Sequence, residues 1–387
     1  MKAPRPLRLL LVINLFTDAG GAEVQLLHLA RGLAARGHRV TICAIDHATV
    51  DPDLLAAEGI RLVELHAENR WQRVPATWQL IKLARQADVV QCTMWDPSLW
   101  GRLAAMIARK PVIVADHSTD RSIQVSRGGT SRAGLIELHN RLLDPITYAT
   151  VACASPQRAI LRAEGVADEK IVYIPNGVPL AAIGAEAAAA PGRAELGLPA
   201  EGPLAMQVGV FRAEKNQMGG LEAFAKVRER VPDAQLAFVG FGPLQEAVEA
   251  RAAEIGADWA HFLGLRTDVP ALLRHADLML LPSISDAMPM VLLEAMSLGV
   301  PVLATDVGDI RATLGDAGSI VPAGDEDAFV RAAVALLGDP AAAARQGEAA
   351  KARAGEFDAD LMVRRYESLF EGAFGGGAPA GQVEAVS

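Results

Sequence analysis

Three cysteines in 387 residues, Cys43, Cys92 and Cys153, are too few and too scattered for a disulfide framework. No C-x-x-C pair occurs, and the set fits the reducing cytoplasm. Aromatic residues make up only 5% of the chain while Ala, Val and Leu abound, which argues against an all-β protein. No apolar stretch reaches the ~20 residues that a membrane-spanning helix needs. The N-terminal MKAPRPLRLLLVINLF is basic, but its apolar run, Leu9–Leu15, is short and reads as a first buried strand, not a signal peptide. The chain also lacks the G-K-[ST] of a P-loop and a complete G-x-G-x-x-G; Gly240-Phe-Gly242 has Gln245 where the third glycine would fall.

What is present is a long, ordinary globular composition, 51% apolar and 21% charged, with length for two domains at roughly 100–200 residues each. A net charge of −9 makes nucleic acid an improbable partner. The charge is uneven: residues 1–150 carry 18 basic and 14 acidic side chains, and residues 181–387 carry 16 and 29. The first half is therefore the one suited to an anion or an acidic membrane surface.

Apolar runs of strand length alternate with amphipathic segments. In the first half the strands read Arg8–Asn14, Arg39–Ile45, Arg61–Leu65, Val89–Cys92 and Val112–Ala115, with helices such as Ala22–Arg36 and Ser98–Ala108 between them. An Ala-, Gly- and Pro-rich stretch, Leu180–Gly202, reads as the separator. The rhythm then restarts with Leu204–Val208, Gln235–Val239, His261–Leu263, Leu278–Pro282 and Val302–Ala304 as strands. Strand, helix, strand in this order predicts an α/β protein: two Rossmann-like, doubly wound parallel-sheet domains facing a cleft. The expected limits are 1–178 and 179–355, a closing helix over 356–374, and a disordered Gly- and Ala-rich tail over 375–387.

Ligands of such sheets sit beyond the carboxyl ends of the strands, so chemistry is sought in the loops that follow them. The strongest constellation is Asp286-Ala-Met-Pro-Met-Val-Leu-Leu-Glu294. A helix starting near Pro289 would point the free N–H groups of Met290, Val291 and Leu292 at an anion, with Asp286 before it and Glu294 one turn in. Ionised carboxylates there suit the paired hydroxyls of sugars. A second group, Gly209-Val-Phe-Arg212-Ala-Glu-Lys215, brings two cations after a strand. A third, Gly20-Gly21-Ala-Glu23, lets backbone approach a phosphate at a helix start. His117 follows Val112–Ala115 directly, and Gly264-Leu265 follows a later strand.

Taken in order, these motifs resemble the retaining family-4 glycosyltransferases, which have the GT-B fold; the resemblance runs from about residue 8 to residue 370. The family's acidic-x7-acidic motif usually begins Glu-Gly, where this chain has Asp286-Ala287. The resemblance implies that Arg212 and Lys215 clamp the donor diphosphate, together with Gly20, Gly21 and the amides of Met290, Val291 and Leu292. It places His117 and Asp286 at the donor sugar, Glu294 on the nucleotide ribose, and Gly209, Gly264 and Leu265 near the base. It also implies transfer from a UDP- or GDP-sugar to a saccharide or lipid-linked saccharide, as in surface polysaccharide or glycolipid synthesis, with the nucleotide sugar as substrate and no cofactor. Location would be cytoplasmic, with peripheral contact at the inner membrane face. Three D-x-D spellings, Asp51-Pro-Asp53, Asp325-Glu-Asp327 and Asp358-Ala-Asp360, each precede a helical pattern and read as helix-start acids, so no metal is expected.

The acceptor is sought in the first domain. Arg121, Arg127, Arg132 and Arg141 lie in a basic loop-and-helix stretch, and Trp71, Trp78, Trp95 and Trp100 could stack on sugar rings or pack in a core. A second class of reading stays open: a nucleotide-sugar-binding subunit without transfer, for which the Asp286 departure speaks. A GT-B epimerase or phosphorylase is a third, less favoured because no pyridoxal-type lysine is evident.

Overall fold

A computed structural model describes residues 5–17, 20–117 and 130–377. The expected basic stretch at Arg121 and Arg127, and the tail from 378 onward, lie outside the described residues. The chain divides into two compact units, Met1–Gly177 with Ala359–Ser387, and Val178–Asp358.

Unit 1 runs β1 (Arg8–Ile13), α1 (Gly21–Ala35), β2 (Arg39–Ala44), α2 (Pro52–Ala57), β3 (Ile60–Glu64), α3 (Arg70–Gln86), β4 (Val89–Thr93), α4 (Trp95–Ala108), β5 (Val112–Asp116), α5 (Thr130–Leu143), β6 (Thr147–Ala152), α6 (Gln157–Ala163) and β7 (Ile171–Tyr173). Unit 2 begins with α7 (Leu180–Ala188), β8 (Leu204–Val208), α8 (Gln217–Arg228), β9 (Gln235–Val239), α9 (Gln245–Glu254), β10 (Ala260–Phe262) and α10 (Val269–Leu273). It continues β11 (Leu278–Leu281), α11 (Met290–Leu298), β12 (Val302–Thr305), α12 (Ile310–Leu314), β13 (Ser319–Val321), α13 (Glu326–Gly338) and α14 (Pro340–Ala354). The chain then returns to unit 1 as α15 (Ala359–Gly375).

Unit 1 holds a seven-stranded sheet in the order β3-β2-β1-β4-β5-β6-β7, unit 2 a six-stranded one in the order β10-β9-β8-β11-β12-β13. The described pairings within both are parallel. Central strands are buried on both faces, which is why they read as unbroken apolar runs: β1 is RLLLVI with only Arg8 exposed, and β11 is LMLL, buried throughout. In each sheet the strand order reverses beside the first strand, between β1 and β4 and between β8 and β11. Such reversal points open a crevice at the carboxyl edge.

Helix α15 completes the unit 1 core. Met362, Val363, Tyr366, Leu369, Phe370 and Ala373 pack in one cluster with Leu9, Leu11, Leu29 and Leu33. Phe370 is fully buried there, and truncating it to alanine would cost about 3–5 kcal/mol. The rim of the contact is polar: His38 accepts the Leu7 N–H at Nδ1 (3.1 Å), so its Nε2 carries the proton and donates to Glu367 at 2.9 Å. In unit 2, the Phe238 and Phe262 rings stack and Phe211 meets both at a tilt, against a core with Leu221, Phe224 and Trp259.

Two sequence expectations need correction here. The stretch taken as a separator, Leu180–Gly202, contains helix α7, and Gly375 ends α15 instead of opening a tail. The D-x-D acids do start helices: Asp51 accepts the Asp53 N–H at 2.9 Å, and Asp325 accepts the Ala328 N–H at 2.9 Å. Asp360 lies in the first turn of α15 and pairs with Arg36 and Arg364.

Candidate functional site

In unit 2 the loops after β8 and β11 meet at the strand-order reversal. The Glu214 carbonyl accepts the Ile284 N–H at 2.8 Å, and the Asn216 side chain donates to the Pro282 carbonyl at 3.1 Å. Asn216 adopts a left-handed backbone (φ 52°) and accepts the Gly219 N–H at 3.2 Å, capping α8. The Lys215 carbonyl accepts a hydrogen bond from the buried Gln207 amide at 2.9 Å. These bonds fix the backbone on which two cations stand. Arg212 is exposed. Lys215 is partly buried, and its ammonium is ion-paired with the Asp286 carboxylate, which is itself only 12% exposed. The pairing joins the residue expected on the diphosphate to the residue expected on the sugar.

Helix α11 starts at Met290, with Pro289 as its extended N-cap (φ −66°, ψ 130°) and no side-chain cap. It ends at Gly299 in the left-handed region (φ 72°), followed by Pro301, the usual way for a helix to stop. The expectation of three free amides is corrected: Leu292 N–H donates to the Pro289 carbonyl at 3.1 Å. Met290 and Val291 retain the uncapped positions. Glu294, partly buried one turn in, has its carboxyl pushed up to about 7, first by loss of hydration and then by the charge of Glu186 on α7. Sequence spacing gave no hint of this neighbour.

Three glycine loops line the adjoining strand ends. Gly209 (φ 150°) donates to the Val239 carbonyl at 2.9 Å, and Gly240 (φ 140°) donates to the Gly264 carbonyl at 2.8 Å. A Cβ on Gly240 would collide with the Gly209 carbonyl oxygen, so only glycine allows this approach. Leu265 beside them is exposed.

In unit 1 the expected residues also lie at strand ends. Gly20 caps α1 with extended backbone, and a Cβ there would collide with the Glu23 carboxylate folded over it. Gly21 opens the helix. His117 follows β5; its imidazole is held down to about 4, mainly by burial, against the opposing pull of Asp116 and a hydrogen bond to the Asn176 side chain. The ring is therefore neutral at physiological pH. Met94, at the end of β4 beside the reversal point, has φ 72°, a conformation that favours glycine and costs about 1–3 kcal/mol in another residue. Nothing in the sequence marks it.

The tryptophans separate. Trp259 is buried in unit 2 and Trp100 packs on the unit 1 core, whereas Trp71 and Trp78 on α3 are 75% and 64% exposed. Arg141 pairs with Glu137 at 2.6 Å on an exposed face of α5. Among the described residues no helix is long and apolar enough to cross a membrane, and no three acidic, His or Cys side chains are grouped to hold a metal ion.

Two parallel-sheet α/β units, of seven and six strands and each with a reversal of strand order, define a GT-B architecture. Residues 202–339 match the family model described as glycosyl transferases group 1, and residues 19–182 match that of glycosyltransferase family 4. Phosphatidyl-myo-inositol mannosyltransferase of Mycobacterium tuberculosis is 28% identical over 383 residues, spanning 94% of this chain and 96% of that protein. N-acetyl-alpha-D-glucosaminyl L-malate synthase of Bacillus anthracis is 34% identical over 183 residues, 46% of this chain and 47% of that one. The crystal structure of Anabaena HepE in complex with UDP and glucose superposes with a TM-score of 0.80 at 19% identity, covering 94% of this chain and 99% of that one. The chain belongs to glycosyltransferase family 4, the group 1 glycosyl transferases.

Proposed function

We propose that the protein transfers a sugar, with retention of configuration, from a UDP- or GDP-sugar to a saccharide or lipid-linked saccharide acceptor. The carrying observation is the Lys215–Asp286 pair beside the exposed Arg212, at the reversal point of the unit 2 sheet. A leaving diphosphate gains charge as the glycosidic bond breaks, and cations held on a fixed backbone favour that state over the ground state. Lys215, Arg212 and the amides of Met290 and Val291 take that role in this reading. Gly20 and Gly21 would offer backbone to the same diphosphate. Glu294 takes the ribose hydroxyls, Gly209, Gly264 and Leu265 lie by the base, and Asp286 and His117 orient the donor sugar. The acceptor hydroxyl attacks the face the diphosphate leaves, giving its proton to the departing phosphate oxygen. The charge is met by side chains and amides, so the reaction as proposed uses neither metal nor cofactor.

The lipid-linked acceptor is supported by α3. That helix has no acidic residue; Trp71, Val74, Trp78, Lys82 and Arg85 are exposed along it, while Arg73 turns inward to pair with Asp46. Exposed tryptophans and cations on one helix suit the interface of an anionic bilayer. The name of the mycobacterial relative, which includes a phosphatidyl acceptor, agrees. The protein would then work at the inner face of the cytoplasmic membrane in surface polysaccharide, lipopolysaccharide or glycolipid synthesis.

The test is transfer from UDP- and GDP-sugars in the presence of EDTA, with the anomeric configuration of the product read by NMR, and flotation with vesicles containing phosphatidylglycerol. An inverted product, or loss of turnover on chelation, overturns the mechanism. No flotation, together with full activity on a soluble acceptor, overturns the lipid part. One observation favours the second reading, binding without transfer: the Asp286 carboxylate is already engaged by Lys215. Nucleotide binding with no transfer to any acceptor would decide for it.

A further inference from the structure

The turn after β7 and the end of β5 are not neighbours in the sheet, because β6 lies between their strands. The Asn176 side chain nevertheless reaches the His117 imidazole with a hydrogen bond. Both ends of this bond are held by other buried amides. Gln157, fully buried on α6, donates from Nε2 to the carbonyl of Asp116, the residue before His117, at 3.1 Å. Its Oε1 accepts the Ala154 N–H at 2.8 Å, so the glutamine ties the end of β5 to the end of β6. Gln25, buried on α1, accepts the N–H of Gly177, the residue after Asn176, at 3.2 Å.

Three buried carboxamides on the backbone at either end of this bond are costly to desolvate, the more so as Gln25 Nε2 has no partner among the described residues, and apolar side chains of similar size would pack the same space without that cost. The arrangement therefore serves geometry more than packing. The Asn176 side chain is hydrogen-bonded to the His117 imidazole, and a bond held at one ring nitrogen fixes the ring plane and selects a tautomer.

We infer that Asn176 is a positioning residue for His117: it accepts the imidazole N–H and leaves the second ring nitrogen free, as an acceptor, to meet a donor-sugar hydroxyl. Gln157 and Gln25 fix the backbone at the two ends of that bond. The inference rests on the reading of His117 as a residue of the donor-sugar site.

The test uses the full chain labelled with 15N-histidine, which has eight histidines, with His117 assigned by its loss in H117Q. In wild type, two-bond proton–nitrogen spectra should show His117 as one neutral tautomer. In Asn176→Ala its ring nitrogens should shift toward a mixture of tautomers while the other histidines stay in place. Turnover should fall about 10–100-fold, the scale of a mispositioned group, with the donor KM changed less than about threefold. Asn176→Asp keeps an oxygen at the same atom position and should recover most of the lost turnover. Unchanged His117 resonances in folded Asn176→Ala, or an Asn176→Asp variant as impaired as the alanine, overturns the inference. Should the alanine variant fail to fold, Asn176→Asp and Asn176→Ser carry the same comparison. A wild-type chain that transfers no sugar would defeat the proposed function, while the spectra alone would still decide whether Asn176 sets the His117 tautomer.

Discussion

Lys215 and Asp286 stand 71 residues apart in sequence and meet as an ion pair where the β8 and β11 loops converge. Each constrains the other: the pair fixes where the ammonium and the carboxylate stand in a partly buried place. Replacing Lys215 with alanine removes the cation expected to meet the leaving diphosphate and should lower turnover about 100–1000-fold. Asp286→Asn keeps the shape but loses a charge-assisted bond, so a loss nearer tenfold is expected. Both variants should melt within a few degrees of wild type, because the lysine is partly solvated. Steady-state kinetics alongside calorimetry checks this, and near-normal turnover of Lys215→Ala would remove Lys215 from the site.

Gly308 is where the same loop is braced from behind. Its φ is 56°, and a Cβ there would collide with the carbonyl oxygens of both Asp286 and Ala287. The neighbouring Asp309 N–H donates to the Ala287 carbonyl at 2.8 Å, so the loop cannot retreat without losing that bond. Gly308→Ala should therefore shift Asp286 and lower turnover at least tenfold, beyond the backbone strain of about 1–3 kcal/mol. Gly324→Ala is the control: φ is 86° there but nothing lies within 4 Å of the new Cβ. It should lose stability and keep its activity per folded molecule. Equal activity in the two variants would mean that the brace does not govern the loop.

The fold was legible because parallel strands are buried on both faces, so β1, β8 and β11 stand out as apolar runs with polar loops behind them. The positions of Lys215, Glu294 and His117 followed from those loops. What stayed hidden depends on tertiary approach. Helix α7 hides in the stretch read as a separator because that stretch is rich in Ala, Gly and Pro, although its alanines favour helix. The amide of Leu292 was counted as free because a one-residue shift in helix start decides whether Pro289 captures it. The partnership of Asn176 with His117 crosses a whole strand, and no local pattern encodes such a reach. Of the two readings open for Trp71 and Trp78, packing in a core is excluded by their exposure on α3.

The Glu294 carboxyl, at about 7 against an ordinary value near 4.5, binds its proton more tightly in the folded chain than in the unfolded one. Between those values the folded state holds more protons, so stability falls as pH rises, by at most about 3 kcal/mol for this group. Glu294→Gln should flatten that part of the stability curve and be the more stable protein at pH 8. Nucleotide binding should run the other way in wild type. If the ionised carboxylate accepts the ribose hydroxyls, nucleoside diphosphate affinity rises as pH passes upward through 7. Calorimetric titration with UDP and GDP at pH 6 and pH 8 reads the sign, and affinity that falls across this range would sever Glu294 from the ribose.

On the acid side the burden falls on unit 1, where His28, His117 and His139 are each held down to about 4, chiefly by burial. The unfolded chain takes up these protons near 6.5 and the folded chain does not, so stability is lost as pH drops from about 6.5 toward 4. A single shift of this size corresponds to at most about 3 kcal/mol. His28 isolates the effect, since it lies on α1 among Leu26, Leu27 and Leu29 and Arg31 adds a like charge to the desolvation. His28→Gln leaves the candidate site untouched and cannot be protonated. Its melting temperature should fall less steeply than that of wild type between pH 6.5 and 4.5, with the two curves parallel above pH 7. Parallel curves across the whole range would show that His28 titrates alike in the folded and unfolded chains, and that burial on α1 does not carry this part of the acid sensitivity.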